Sequence, residues 1–125
     1  MGAFHIDCEV VNIRNLGKTA AVTKVLVDSG SEFTWIPEST LKRAGIQVIK
    51  KDVAFQMANG QTITRSIGYA IVRAAGFETV DEVVFGQPGD LSLLGARSLE
   101  GFGAMVDARK KRLVAAGPYP AATGR

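Results

Sequence analysis

The residues best suited to chemistry in this sequence are Asp28, Ser29 and Gly30, which follow the apolar run 25–27. An apolar, β-branched run that ends at serine and glycine is typical of a buried strand leading into a tight turn. A carboxylate held directly after such a strand loses hydration, so it either titrates at an unusual pH or meets a partner group. Either outcome suits catalysis, and Asp28 is therefore the first candidate for a functional residue.

Other catalytic groups are scarce, because the sequence contains one histidine, His5, and one cysteine, Cys8. A Ser-His-Asp triad or a Cys-His pair would have to use His5, which lies near a terminus without a supporting motif. A single cysteine excludes an internal disulfide and a cysteine-based metal site, and we interpret Cys8 as a small, half-buried strand residue. We expect neither a metal site nor a cofactor.

The composition predicts one soluble folded domain, since 46% of the 125 residues are hydrophobic and 22% are charged. This content supplies enough apolar side chains for a sizeable core. No apolar run approaches the length of a membrane span, and the first residues lack the pattern of a signal peptide. We therefore expect a cytoplasmic protein with no membrane segment.

The residues around Asp28 are predicted to lie among short strands. Phe4 to Ile13 alternates apolar and polar residues with period two, and Thr19 to Val27 resumes as a second strand that leads to Asp28. A hairpin between these two strands is the simplest pairing. Residues 38–45 are predicted to form a short helix that ends at a glycine.

The second half of the chain predicts further hairpins. We expect a tight turn at Asn59-Gly60, because both residue types accept positive φ angles. The remaining predicted elements are strands at 67–74, 79–85 and 91–95, a brief helix at 96–100 and a last hairpin formed by 104–107 and 112–114. Many short strands with few helical residues predict an all-β barrel or sandwich. We expect one domain over residues 1–114 and an extended or mobile tail at 115–125.

The order of these motifs resembles that of the retropepsin-like, or retroviral-type, aspartic proteases. Three features carry the resemblance: Asp28-Ser29-Gly30 after an apolar strand, a central hairpin around Asn59-Gly60, and Leu93-Leu94-Gly95 before a short helix. Asp-Ser-Gly alone is also an ordinary turn sequence, so only the combination is informative. The resemblance implies a small, closed, acid-protease-like β-barrel, and its details look closer to cellular single-domain members than to viral ones.

The resemblance also implies catalysis by two close aspartates that share one proton. The ionised carboxylate activates a water while the protonated one polarises the scissile carbonyl, and the pair titrates as a unit. Asp-Ser/Thr-Gly occurs once here, so a second Asp28 must come from a second copy in a two-fold homodimer. Ser29 would donate its hydroxyl to the network that holds the pair, and Gly30 would let the backbones approach closely.

In this family the central hairpin is a flap over the cleft, which implies that it binds an extended peptide or protein substrate here. The candidate substrate-binding residues are Ser31, Met57, Ala58, Asn59, Gly60 and Gln61. An ordinary surface hairpin would have the same sequence, so the flap follows from its context. Arg97 is a candidate for the family's structural arginine, with Glu32 as its partner, and Trp35 belongs to the core or to a pocket wall.

Three functional hypotheses follow. The first is a homodimeric aspartic endopeptidase with one Asp28 from each subunit. The second is a non-catalytic, protease-like domain that dimerises or binds peptide strands by sheet addition. The intact Asp28-Ser29-Gly30 favours the first, since a binding module has no reason to bury a lone carboxylate. The third is a basic β-barrel that binds nucleic acid through residues 109–112, but stacking aromatics are absent there and we expect no nucleic-acid partner.

Overall fold

The computed structural model describes residues 3–124. Within them lie nine strands and two short helices, which confirms the predicted all-β class. The strands are β1 (Phe4–Val11), β2 (Thr19–Val27), β3 (Thr34–Pro37), β4 (Lys50–Gln56), β5 (Thr62–Ala74), β6 (Phe77–Gly86), β7 (Leu93–Leu94), β8 (Ala104–Asp107) and β9 (Arg112–Ala115). The helices are α1 (Glu38–Arg43) and α2 (Ala96–Phe102).

Seven strands form one sheet in the order β1-β2-β7-β3-β6-β5-β4. Because β1 also pairs with β5, six of these strands form a closed ring, and β4 extends beyond it as a free edge. The β2–β7 and β3–β6 pairs are parallel, and the other pairs are antiparallel. The ring encloses a core that includes Val10, Val25, Ile36, Val72 and Phe85. Its topology brings the end of β2, the start of β3 and β7 together.

β1 and β2 form the predicted antiparallel hairpin. β1 ends at Val11 rather than at the predicted Ile13, because Asn12 leaves the ladder. The Asn12 side-chain oxygen accepts hydrogen bonds from the N–H groups of Arg14 and Asn15 at 2.8 and 3.1 Å. Its Nδ2 donates to two carbonyls just after α1, each at 3.0 Å. One side chain therefore shapes the turn and joins it to α1.

α1 ends at Arg43, two residues before the predicted end. Gly45 has a φ of +70°, a left-handed conformation that ends helices and favours glycine. The helix therefore stops two residues earlier than its sequence pattern indicates.

β4 and β5 form the predicted central hairpin, but the turn at its tip differs from the prediction. Gly60 has a φ of +88°, whereas Asn59 lies outside the left-handed region, so the prediction for Asn59 was wrong. The Met57 N–H donates to the Gln61 carbonyl at 2.7 Å, and the Gly60 N–H donates to the Met57 carbonyl at 2.9 Å. These bonds define a three-residue loop with a bulge, which needs left-handed backbone only at its last position.

β5 and β6 form a longer hairpin than the predicted strands 67–74 and 79–85. β5 starts at Thr62 because one continuous strand pairs with β4 at its beginning and with β6 along the rest. The connecting turn has only two residues, Ala75 and Gly76, with φ angles of +52° and +84°. Two left-handed residues in succession are typical of a type I′ turn.

The end of the chain contains short elements. The strand predicted at 91–95 is present only at Leu93–Leu94, and the predicted helix continues to Phe102. β8 and β9 form the predicted closing hairpin as a separate two-stranded sheet, and residues 116–124 contain no helix or strand. Over residues 3–124, none of the helices has the length and apolar character needed to cross a membrane.

Candidate active site

Asp28 lies directly after β2, at the point where this strand meets β7. Its N–H donates to the Leu94 carbonyl at 3.0 Å, and its carbonyl accepts from the Ser31 N–H at 3.1 Å. Its carboxylate Oδ1 accepts from the Gly30 N–H at 3.0 Å. The aspartate is half-buried, whereas Ser29 and Gly30 are exposed. The structure therefore holds the carboxylate in one orientation at the edge of an open surface.

Gly30 is required for space rather than for an unusual backbone angle. A Cβ at this position would lie 3.2 Å from Asp28 Oδ1, tighter than ordinary van der Waals contact. The absence of a side chain lets the carboxylate fold back onto the Gly30 N–H. The Ser29 hydroxyl makes no hydrogen bond with any residue from 3 to 124, so it is available to a group outside this chain.

The segment from Asp28 to Phe33, here called the aspartate loop, packs against Gly95 and the start of α2. A Cβ on Gly95 would collide with the Phe33 carbonyl and lie 2.8 Å from the Glu32 carbonyl oxygen. The first two N–H groups of α2 donate to the carbonyls of Ser31 and Glu32 at 2.7 and 3.1 Å. Leu94 and Gly95 thus lie directly behind the loop.

A chain of hydrogen bonds continues from Gly95 into the interior. The Gly95 N–H donates to Thr34 Oγ1 at 3.0 Å, Thr34 Oγ1 and Ser98 Oγ are 2.6 Å apart, and Ser98 Oγ lies 2.7 Å from Asp81 Oδ2. Since an ionised carboxylate can only accept, Ser98 donates to Asp81 and Thr34 donates to Ser98. Both hydroxyl-bearing residues are fully buried, so these bonds replace their contact with water.

The sequence did not predict this chain of hydrogen bonds. Thr34 and Ser98 are 64 positions apart, and Asp81 is 17 positions from Ser98. No local periodicity connects residues at such separations. The one available signal is a polar residue in an otherwise apolar strand: Thr34 begins β3, in which Ile36 is also completely buried.

Arg97 joins the aspartate loop to β6. Its Nε and Nη2 donate to Glu32 Oε2 at 3.0 and 2.9 Å, which confirms the predicted pairing. Its Nη1 donates to Glu82 Oε1 at 2.8 Å, and the guanidinium lies 4.4 Å above the centre of the Phe33 ring. Glu82 also forms a salt bridge with Lys50, and the Lys50 hydrogen bond is the main cause of the lowered pKa of Glu82.

Phe55 on β4 links the central hairpin to the residues that follow Asp28. Its ring centre lies 5.5 Å from that of Phe33 and 5.0 Å from that of Trp35, both in edge-on geometry. All three aromatic side chains are half-buried and lie outside the main core cluster. Trp35 is therefore part of a surface wall shared by the hairpin and β3.

The predicted substrate-binding residues lie in two different environments. Met57, Ala58, Asn59, Gly60 and Gln61 are all exposed at the tip of the hairpin. Ser31 is half-buried, and its hydroxyl donates to the Phe33 carbonyl at 3.2 Å, so it contributes to the shape of the aspartate loop.

An ion pair fixes the base of the hairpin to the loop before β7. Arg65 Nε and Nη2 donate to the two carboxylate oxygens of Asp90 at 2.7 and 2.8 Å. These side chains are only 18% and 16% exposed, and Asp90 also accepts from the Gln87 N–H at 2.7 Å. The hydrogen bonds from Arg65 hold the pKa of Asp90 below its usual range.

Within residues 3–124, the groups that other kinds of catalysis would use, His5 and Cys8, lie in different environments. His5 is exposed on β1, and Cys8 is more deeply buried than predicted, with 4% exposure. Burial raises the pKa of the Cys8 thiol to about 12, so the reactive thiolate is disfavoured. Among residues 3–124, no three His, Cys, Asp or Glu side chains are grouped to hold a metal ion.

Comparison with known proteins identifies the family. A family model described as aspartyl protease matches residues 11–97, more than half of the chain and all of the segment from the β1–β2 turn to Arg97. The chain belongs to the aspartyl protease family. The match includes the aspartate loop, the central hairpin and Leu93-Leu94-Gly95, and it ends before β8 and β9. The predicted resemblance to retropepsin-like aspartic proteases is thereby confirmed.

The fold of this aspartyl protease family member is also found among solved structures. The solution structure of the Simian Foamy Virus (mac) protease matches with a TM-score of 0.50 and 20% sequence identity, covering 77% of this chain and 91% of that chain. At this identity the similarity shows the fold alone. No curated protein matches the chain significantly.

Proposed function

We propose that this protein is an aspartic endopeptidase whose active site is shared by two copies of the chain, each contributing Asp28. The observation that carries the proposal is the state of the Asp28 carboxylate. It is half-buried, oriented by the Gly30 N–H and free of any salt bridge within residues 3–124. Such a group is poised for chemistry rather than used for stability.

The other carboxylates around the site already have partners, which supports a second copy as the source of the second aspartate. Glu32 and Glu82 are bound by Arg97, Asp90 by Arg65, and Asp81 by Ser98. Within residues 3–124, these four carboxylates are therefore engaged elsewhere and are not available to complete a pair with Asp28. A two-fold homodimer supplies one, because an isologous interface places the same residue on both sides of the axis.

The proposed mechanism uses one proton shared by the two carboxylates. The ionised Asp28 removes a proton from water, which attacks the peptide carbonyl, while the protonated Asp28 donates a hydrogen bond to the carbonyl oxygen. The tetrahedral intermediate then breaks down as a proton passes to the leaving amine. In this mechanism the exposed Ser29 hydroxyl would hydrogen-bond the partner's loop and so hold the two carboxylates together.

The substrate in this proposal is an extended peptide segment. The exposed tip of the central hairpin, residues 57–61, would close over the segment and exclude water from the carboxylates. Phe55 supports this role, because its contacts with Phe33 and Trp35 tie the movement of the hairpin to the wall beside the aspartate loop.

The test is to compare Asp28→Asn with the native chain for cleavage of a mixed peptide library and for mass by sedimentation. Asp52→Asn is the matched control, since Asp52 is an exposed aspartate on β4. We expect Asp28→Asn to remove cleavage but keep the dimer, and Asp52→Asn to keep both. An active-site aspartate inhibitor such as pepstatin should block the native activity.

Cleavage that survives in Asp28→Asn would contradict the mechanism. A dimer of the native chain that cleaves nothing in the library would instead favour a non-catalytic protease-like domain.

A further inference from the structure

A second surface feature lies far from the aspartate loop. It is a groove of about 490 Å³ between the β1–β2 turn, the segment that follows α1, and β5. Lys18 at one side of the groove immediately precedes β2, and Asp28 immediately follows this strand. Nine strand residues separate the two positions, which is about 30 Å along the strand. No residue of the aspartate loop lines the groove.

The groove collects apolar side chains that the fold leaves uncovered. Three of its lining residues, Ile49, Ile13 and Tyr69, are 53%, 43% and 41% exposed. Leu16, in the β1–β2 turn, and Val48, next to Ile49, are also exposed. Large apolar side chains that gather at one place, with polar groups around them, are typical of a protein interaction site.

The charge of the groove has one sign. Arg14 and Lys18 line it, and its lining contains no acidic residue. Neither cation forms a salt bridge with any residue from 3 to 124. The Lys18 side chain lies next to Gly45, just after α1, with its ammonium beside the groove. The groove is therefore complementary to carboxylates next to apolar groups.

The groove also has polar groups that suit a peptide backbone. Asn15 and Gln47 line it, and their side-chain amides make no hydrogen bond within the described part of the chain. The wall that carries Asn15 is preformed, because Asn12 accepts two hydrogen bonds within the turn and donates two more to the carbonyls just after α1. A preformed wall lowers the entropy lost on binding.

We propose that this groove docks a segment of the protein substrate in which glutamate or aspartate alternates with large apolar residues. The inference that the docked segment belongs to a substrate rests on the proposed function. The acidic and apolar character of the segment is inferred from the groove alone. A chain that reaches from the groove to Asp28 needs on the order of ten extended residues. The docking site would therefore select long, flexible substrates over short peptides.

The test uses isotope-labelled Asp28→Asn protein, so that binding is measured without cleavage. The probe is a peptide of alternating leucine and glutamate. Its binding is followed by the amide chemical shifts of the protein in nuclear magnetic resonance spectra. We expect shifts at the amides of Gln47, Ile49 and Tyr69. Control peptides that replace glutamate by lysine, or leucine by serine, should bind more weakly by about tenfold or more.

Charge-reversal variants test the role of the cations. Arg14→Glu combined with Lys18→Glu should weaken the binding of the leucine-glutamate peptide by about tenfold or more. The matched control is Arg109→Glu combined with Lys110→Glu, which changes the charge equally on the exposed turn before β9 and should leave affinity unchanged. Ile49→Ser provides an independent test at an exposed position, and it should also weaken binding.

Any of three results would overturn the proposed docking site. The Arg14 and Lys18 double variant could bind the leucine-glutamate peptide as tightly as the parent Asp28→Asn protein, or Ile49→Ser could do so. The third result is that the peptide shifts only the amide signals of the aspartate loop. Shifts at Ile49 and Tyr69 caused by phosphatidylserine vesicles, with none caused by the peptide, would also overturn it in favour of a lipid surface. These readouts do not use cleavage, so a failed peptidase assay leaves them interpretable.

Discussion

The Ser98 hydroxyl donates a hydrogen bond to the Asp81 carboxylate at 2.7 Å, and this contact joins α2 to β6 behind the aspartate loop. The same hydroxyl accepts from Thr34, which in turn accepts from the Gly95 N–H. One serine therefore links α2, β3 and β6. The loop that carries Asp28 is supported by this arrangement, because Gly95 packs against its last two residues.

Ser98→Ala should lower the free energy of unfolding by about 1–3 kcal/mol, because it leaves the buried Thr34 O–H without an acceptor and Asp81 Oδ2 without its donor. Urea denaturation measures this change. The control is Ser39→Ala on the exposed side of α1, which should change stability by no more than about 0.5 kcal/mol. Equal effects of the two substitutions would contradict the role given to Ser98.

Asp90→Asn should destabilise the chain in a pH-dependent manner. The pKa of Asp90 in the folded state lies below its ordinary value of 3.8, mainly because Arg65 hydrogen-bonds the ionised carboxylate. The stabilisation is therefore complete above the ordinary value and is lost as the pH falls through the folded-state pKa. At neutral pH the variant should be less stable by about 1–3 kcal/mol.

Denaturation of both proteins between neutral and acidic pH tests this prediction. The difference in unfolding free energy between the native chain and Asp90→Asn should shrink as the pH falls below 3.8. A difference that grows on acidification would show that the Arg65 pairing does not act in this way.

Phe55→Ala should loosen the central hairpin without unfolding the ring of strands. The substitution removes two edge-on aromatic contacts, each worth about 0.5–1.5 kcal/mol. Amide hydrogen exchange should become faster in β4, while β1 and β2 keep their protection. Val80→Ala, at an exposed site on β6, is the control and should leave β4 protected. Unchanged exchange in β4 of Phe55→Ala would mean that other contacts anchor the hairpin.

A mixture of native and Asp28→Asn chains should reveal whether the active site is shared. After full exchange at equal amounts, about one quarter of the dimers contain two native chains, so activity per native chain falls to about half. Activity that depends only on the amount of native chain would indicate that each copy acts alone. Peptide cleavage before and after exchange provides the measurement.

Local patterns in the sequence predicted most of the elements correctly. The alternation in β1, the apolar run before Asp28 and the position of Asn59-Gly60 led to the right hairpins, because strand pairing between neighbours depends on nearby residues. The errors have two different causes, one distant in sequence and one local. β5 is longer than its own pattern indicates because it pairs with β4 and β6, and the turn at Asn59 follows from a three-residue loop.

The sequence by itself determined the all-β class and the place of Asp28 at the end of a buried strand, since both depend on residue types a few positions apart. Only the tertiary structure decided what surrounds that aspartate. The Thr34–Ser98–Asp81 chain and the basic apolar groove join residues from segments distant in sequence. Such contacts follow from the closure of the ring of strands, and no local periodicity encodes which distant side chains it brings together.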